Sequence, residues 1–239
     1  MTKVDAIEQV MVANGGTANL NLIYAEIEKY YPAAKQSKEW EAGIRGVLYR
    51  ELNKGTRFKK IGLSLYALNG YIEQPKPKDK ERMHSYIEGL CVELGNFNKY
   101  KTYTADPSAI YRDNMNVGSF SSLKEIPHFS YNNIVVEARR IDVIWFSGID
   151  LLFPKKVFEV VDSIGTLNGA FNRSLQLQHF HTDFYIVAPE KHHEKFLQTS
   201  NLEIYKPTKE RFHFISYDDI TAMYESAYRL NILENKLFS

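Results

Sequence analysis

RIDVIWFSGIDLLFPKKVFEVVDS, residues Arg140 to Ser163, holds two acidic residues inside two candidate strands. In the first, Ile141, Val143 and Trp145 alternate with Asp142 and Ile144; in the second, Val157 to Val161 is apolar except for Glu159. A carboxylate inside an apolar strand is costly unless it is paired or binds a metal. Two such strands, joined by the turn-like SGIDLLFPKK segment, can bring Asp142 and Glu159 side by side as a divalent cation site.

Composition bounds the setting. The chain has 239 residues, 44% of them hydrophobic, enough for one large domain or two small ones with ordinary cores. No run approaches the roughly 18 apolar residues of a membrane span, and MTKVDAIEQV lacks the basic-then-apolar pattern of a signal peptide. The expectation is a soluble cytoplasmic protein with no membrane contact. A single cysteine, Cys91, excludes an internal disulfide and a thiolate zinc cluster and suits core packing. Net charge is only +1, but six basic residues (Arg45, Arg50, Lys54, Arg57, Lys59, Lys60) crowd one stretch with the lone acid Glu51.

That basic stretch lies in a segment read as three helices and a small hairpin. Val4 to Ala13 sets Ile7, Val10 and Met11 on one face and stops at Asn14-Gly15-Gly16. Thr17 or Asn19 can cap a second helix to about Tyr30, ahead of Pro32. A third starts near Ser37, with Trp40, Ile44, Leu48 and Leu52 as an apolar stripe and Arg45 and Arg50 off it. Two extended runs follow, around Arg57–Ile61 and Leu63–Leu68. This order predicts a winged helix. It resembles the HARE-HTH family of winged-helix domains through W-x-x-x-I-R-x-x-L at Trp40 to Leu48, Phe58, and Leu65-Tyr66-Ala67-Leu68. The resemblance implies double-stranded DNA as partner, with the third helix in the major groove and the wing on phosphate. A solvated basic face on a protein-docking domain is the competing reading.

Gln74 to Lys80, QPKPKDK, has nothing to bury and reads as a linker. The expected division is 1–74 winged-helix DNA-binding domain, 75–82 linker and 83–239 catalytic-type domain. The last opens with a helix whose face is Met83, Ile87, Leu90, Cys91 and Leu94; Glu88, beside that face, reads most simply as a surface residue. Tyr100–Thr104 reads as a strand and Ala105–Phe129 as a mostly irregular insertion. Ile134–Glu137 is expected to pair with Ile141–Phe146 as a hairpin delivering Asp142. A helix from Asp162 or Ser163 to about Gln178 follows, then a strand at Phe184–Ala188, a short helix at Glu190–Gln198, a strand at Arg211–Ser216 and a helix at Tyr217–Leu230. Helices alternating with strands predict an α+β or α/β fold: a mixed sheet flanked by helices. His179 with His181, and His192 with His193, lack the i, i+4 spacing of a helical metal site and read as loop or surface residues.

With the elements in this order, IDVIW, FEV, the NR and QL of the next helix, and IVAP closing the next strand are similar to PD-(D/E)XK restriction-endonuclease-like proteins of bacteria. The resemblance implies a Mg2+-dependent (or Mn2+-dependent) deoxyribonuclease of type II restriction or phage-defence kind, a hydrolase of DNA phosphodiester bonds. It implies that Asp142 and Glu159 hold the metal, with the backbone carbonyl of Val161 as a further ligand. From the first helix Glu88 can complete the site, Arg173 can stabilise phosphate and Gln176 can orient a group. Double-strand cutting favours a homodimer. In the family a Lys, or sometimes a Glu or Gln, stands two residues after the Glu, and here that position is Val161. Valine can neither orient water nor offset charge on a phosphorane. The substitutes are a hydroxide on the metal, Glu88, Asp162, Arg140 or Arg173. The alternative function is a catalytically inactive, nuclease-like DNA-binding or protein-docking module.

Overall fold

In the computed structural model, which describes residues 1–238, the chain divides into two compact units. One comprises Met1–Pro75, Arg112–Met115 and the chain from Tyr228 on; the other comprises Lys76–Tyr111 and Asn116–Ala227.

The first unit begins with α1 (Lys3–Ala13), closed at its start by a capping box between Thr2 and Asp5. Strand β1 (Thr17–Asn19) follows, then α2 (Leu20–Glu26), α3 (Trp40–Lys54), β2 (Phe58–Lys60) and β3 (Leu65–Leu68). Asn19 caps α2, accepting a 2.8 Å bond from the Leu22 N–H. The strands form an antiparallel sheet in the order β1-β3-β2, and the core gathers Ile7, Met11, Ile23, Ile44, Leu48 and Phe58. β1 escapes a periodicity reading because it is three residues long and buried at all three.

The second unit carries α4 (Lys80–Phe97), β4 (Lys101–Thr104), most of a two-stranded ribbon of β5 (Ile110–Arg112) and β6 (Met115–Asn116), of which Arg112 and Met115 belong to the first unit, α5 (Val117–Phe120) and α6 (Asn132–Ala138). Then come β7 (Val143–Ser147), β8 (Phe153–Val160), α7 (Ile164–Leu175), β9 (Asp183–Ala188), α8 (His193–Ser200), β10 (Phe212–Ser216) and α9 (Tyr217–Phe238), which belongs to the first unit from Tyr228 on. A five-stranded mixed sheet runs β10-β9-β8-β7-β4, with β4/β7 and β7/β8 antiparallel and β8/β9 and β9/β10 parallel. The expected mixed sheet flanked by helices is present. On one face Ile144, Phe146, Val157, Phe184 and Ile186 pack with Leu167, Ala170 and Phe171 of α7. On the other, Trp145, Phe158 and Tyr185 stack in series, and the Trp145 indole N–H donates to the Cys91 carbonyl of α4 at 3.0 Å.

Two expectations are corrected. Residues 132–138 form helix α6, because Val135 and Ala138, three apart, both enter the core while Val136 faces out; the partner of β7 is β4. The 105–129 segment is mostly irregular, as expected, with the short ribbon and α5 inside it. The helix on the sheet, α4, buries more than one stripe: Val92, Glu88 and Glu93 are inside with the expected residues.

Two glycines fix this arrangement. Gly148, at φ 122, lies in the β7–β8 turn, where a Cβ would stand 1.8 Å from the Leu151 carbonyl oxygen. Gly95 lets α4 approach the sheet, since a Cβ there would lie 2.5 Å from Thr102 Cγ2 and 2.6 Å from Trp145 Nε1. Alanine gains about 1 kcal/mol over glycine in a helix interior, but overpacking costs typically about 1–3 kcal/mol and neither neighbour can move freely. Gly95→Ala is therefore expected to lower the urea midpoint of unfolding; an unchanged or raised midpoint would contradict this packing.

Candidate functional site

The pairing of Val143 with Phe158 sets Asp142, one residue before β7, beside the last residues of β8. There the Val160 N–H donates to Asp142 Oδ2 at 2.7 Å. At the same end, Asp162 follows β8, His192 follows β9 and Tyr217 follows β10, so the carboxyl ends of three parallel strands converge, the usual place for a site in an open α/β sheet. α4 adds His84 and Glu88, one turn apart.

His84 is the hub. Its Nδ1 lies 2.7 Å from Asp162 Oδ2, and its Nε2 lies 3.4 Å from Glu88 Oε1 and 3.9 Å from Asp142 Oδ2. Asp162 is held in turn by the Tyr217 hydroxyl, which donates to Oδ1 at 2.6 Å. Burial works against a charged imidazole here, but the bonds to Asp162 and Glu88 and the charges of Glu88 and Asp142 outweigh it and lift His84 to about 10. Burial also pushes Glu88 up to about 7, with His84 pulling the other way. Asp142 is raised by burial against the pull of His84 and the Val160 N–H. Tyr217 is raised by burial and by its bond to Asp162.

Glu159 lies close by in a different setting. Its side chain is wholly buried, and Arg173 of α7 binds both oxygens, Nε to Oε1 at 2.8 Å and Nη2 to Oε2. Burial and the charge of Asp142 push the Glu159 acid up, whereas the guanidinium opposes them. The two-pronged geometry is that of an ionised carboxylate on a cation, in keeping with the raised Arg173.

The other expected residues are placed as follows. Val161 is buried in the apolar layer under α7, with its N–H on the Val187 carbonyl. Gln176 is exposed at the end of α7 and turns back to the Asn172 carbonyl. Arg140 is exposed on Glu137. Glu88, read above as a surface residue, is 2% exposed. His192 is also buried, its Nε2 3.2 Å from the Asp162 carbonyl oxygen and its Nδ1 without a hydrogen-bond partner. In the first unit Arg45 binds the Tyr24 hydroxyl, Lys54 pairs with Glu51, Arg57 with Asp5 and Glu8, Lys59 donates to the Tyr71 carbonyl and Lys60 to Asn231. Arg50 is exposed on α3, beside Gly46, Tyr49, Asn53 and Lys54 around a shallow groove. The sequence reading missed His84. The signal was available: His84 and Glu88 stand at i, i+4 on one helix face.

The residues fit a divalent ion. Ligand atoms of His84, Glu88 and Asp142 all lie within 4.8 Å of one another, and two ligands on one ion at about 2.1 Å stand roughly 3–3.4 Å apart. Glu88 Oε2 is buried with no hydrogen-bond partner, a cost of about 1–3 kcal/mol or more for a charged group that a cation removes.

The mixed sheet thus gathers acids and a histidine at its strand ends. Over residues 70–237 the chain matches the model of the type II restriction enzyme NmeDI C-terminal domain, and it belongs to that family. No curated protein and no solved structure matches it. Among the described residues no helix is long and apolar enough to cross a membrane.

The Glu159–Arg173 pair can be tested apart from any activity. Removing one partner of a buried pair costs about 3–5 kcal/mol because a charge is stranded. Arg173→Ala should destabilise the protein by about that much in chemical denaturation, and adding Glu159→Gln should restore a large part. Additive losses would show that the pair is not coupled.

Proposed function

We propose that the protein is a restriction-type, metal-dependent endonuclease that hydrolyses phosphodiester bonds of double-stranded DNA. The observation that carries this reading is the cluster of Asp142, Glu88 and His84 at the strand ends, next to Glu159, in a chain of a restriction-enzyme domain family. The division into 1–74 DNA-binding domain, 75–82 linker and 83–239 PD-(D/E)XK-like nuclease domain belongs to the same proposal. So do a homodimer, which brings one site to each strand, and a cytoplasmic place in phage defence.

Asp142, oriented by the Val160 N–H, and Glu88, with its unpartnered oxygen, are the groups that would hold Mg2+ or Mn2+. Such an ion would lower the pKa of water and offset charge developing on the phosphate. Arg173 spends Nε and Nη2 on Glu159 and keeps about a third of its side chain exposed, so it presents positive charge at the mouth of the site to a DNA phosphate. Glu159 in this arrangement tethers Arg173, and it would be free to hold a metal only with the guanidinium drawn away by a phosphate. Val161 adds no proton acceptor, being part of the core.

The first unit is proposed as a winged helix-turn-helix. Three helices with an antiparallel β1-β3-β2 sheet support it, and the groove beside Arg50 on α3 faces outward to meet the duplex. Arg50 would contribute mainly phosphate affinity.

A second reading has its own support. The locked Glu159 and the Val161 substitution favour an inactive nuclease-like module that binds DNA or docks protein. Plasmid and phage DNA, modified and unmodified, with Mg2+ or Mn2+, separate the two. The active reading expects cleavage that Asp142→Ala abolishes while gel shifts persist; DNA binding without cleavage under every condition selects the module. Independently, Arg50→Ala is expected to weaken binding across sequences and reduce the salt slope by about 1. An unaltered slope would remove Arg50 from the interface.

A further inference from the structure

We infer that His84, Glu88 and Asp142 form a mixed nitrogen–oxygen site that selects a divalent transition ion, of the Mn2+ or Zn2+ class, over Mg2+, and that Asp162 and Tyr217 position its histidine. The inference rests on the nuclease reading for the purpose of the ion, though its test does not depend on cleavage.

Two independent observations carry it. The first is Glu88. Among the described residues two buried glutamates lie on α4, and Glu93 Oε2 accepts from the Tyr111 hydroxyl at 2.9 Å and from the Tyr224 hydroxyl at 2.6 Å. Glu88, 3% exposed at its side chain, leaves Oε2 with no partner. Tyr111 of β5 and Tyr224 of α9 close on Glu93, whereas no group closes on Glu88 Oε2, which is left for a different partner.

The second is the chain Tyr217–Asp162–His84. A histidine that ligates metal nearly always donates its other ring N–H to a carboxylate, a backbone carbonyl or water, which sets the tautomer and the ring orientation. Here Nδ1 lies on Asp162 at 2.7 Å and Asp162 is fixed by Tyr217 at 2.6 Å. Nε2 faces Glu88 Oε1 and Asp142 Oδ2, and a bound cation would take the place of its proton while Nδ1–H stays on Asp162. Asp162 is therefore a positioning residue rather than a ligand.

The donor set then decides the ion. Mg2+ prefers an all-oxygen octahedron and is bound through one or two carboxylates with its waters retained. An imidazole suits Zn2+ and related ions, while carboxylates also accept Mn2+. One nitrogen with two carboxylates lies on the transition-metal side of that divide.

The experiment uses the full chain, free of DNA, titrated calorimetrically with MnCl2, ZnCl2 and MgCl2, and examined with Mn2+ by pulsed electron paramagnetic resonance for coupling to 14N. The expected result is Mn2+ and Zn2+ binding at least tenfold tighter than Mg2+, with 14N coupling that His84→Gln abolishes. Tyr217→Phe should keep the coupling and weaken Mn2+ binding by about 10-fold or more. Circular dichroism confirms that each variant is folded, and Glu93→Gln, remote from the cluster in its hydrogen bonding, serves as the buried-glutamate control with metal affinity unchanged. Mn2+ bound without 14N coupling, or Mg2+ bound as tightly as Mn2+, would overturn the assignment. Mn2+ held with 14N coupling by a protein that cuts no DNA leaves the site standing and removes the nuclease reading. Mg2+-driven cutting without nitrogen coupling does the reverse.

Discussion

A carboxylate removed from water needs positive charge, hydrogen bonds or a proton, and among the described residues of the second unit three buried glutamates meet this demand in three ways. Glu159 takes a guanidinium, Glu93 takes two phenols, and Glu88 takes a histidine on one oxygen and nothing on the other. An ion removed from water costs several kcal/mol even after relaxation, so these differences are informative. Glu93 is closed off and structural. Glu159 is neutralised within the layer that packs the sheet on α7. Glu88 has its unmet demand at the strand ends, where Asp142 and His84 also point.

The same demand ties the site to the packing of α4. His84 and Glu88 reach Asp142 only if α4 keeps its rotation on the sheet, because a slip of one residue turns a helix by about 100°. Gly95, about three turns further on, lies against Thr102 and Trp145, and Trp145 is bonded to the Cys91 carbonyl. These contacts fix rotation and height together. The Thr102–Trp145 and Val143–Phe158 pairings then hold β4, β7 and β8 in the register that sets Asp142 beside Val160. Fold and site share one set of constraints.

Much of this was legible from residue pattern. The runs Ile141–Phe146 and Val157–Val161 point to two adjacent strands, with Glu159 inside the second and Asp142 one residue ahead of the first, and the inward positions of α7 follow from Leu167, Ala170, Phe171 and Ser174. Where pattern failed, the reasons are physical. Ile134 to Val136 are β-branched, yet tertiary packing of Val135 and Ala138 outweighs their strand preference. β1 is too short to show a period. The basic count from Arg45 to Lys60 could not reveal that Arg57 is answered by Asp5 and Glu8 of a different helix. His84 was obscured because the partners that give it meaning, Asp142, Asp162 and Tyr217, are distant in sequence, and only Glu88 is near.

Position 161 follows from the same parity. Val157, Glu159 and Val161 share one face of β8, and Val157 and Val161 both enter the apolar layer against α7. A lysine at 161 would be driven into that layer, so valine agrees with its surroundings, and Glu159, flanked by core on both sides, needs Arg173 for the same reason. Acidic groups on that face are thereby drawn into packing, while Asp142 enters the strand from its end and stays accessible to α4. The clustered ionisable groups of the strand ends accordingly lie on the side where helix α4 brings a histidine, and they are residues that the apolar layer under α7 does not consume.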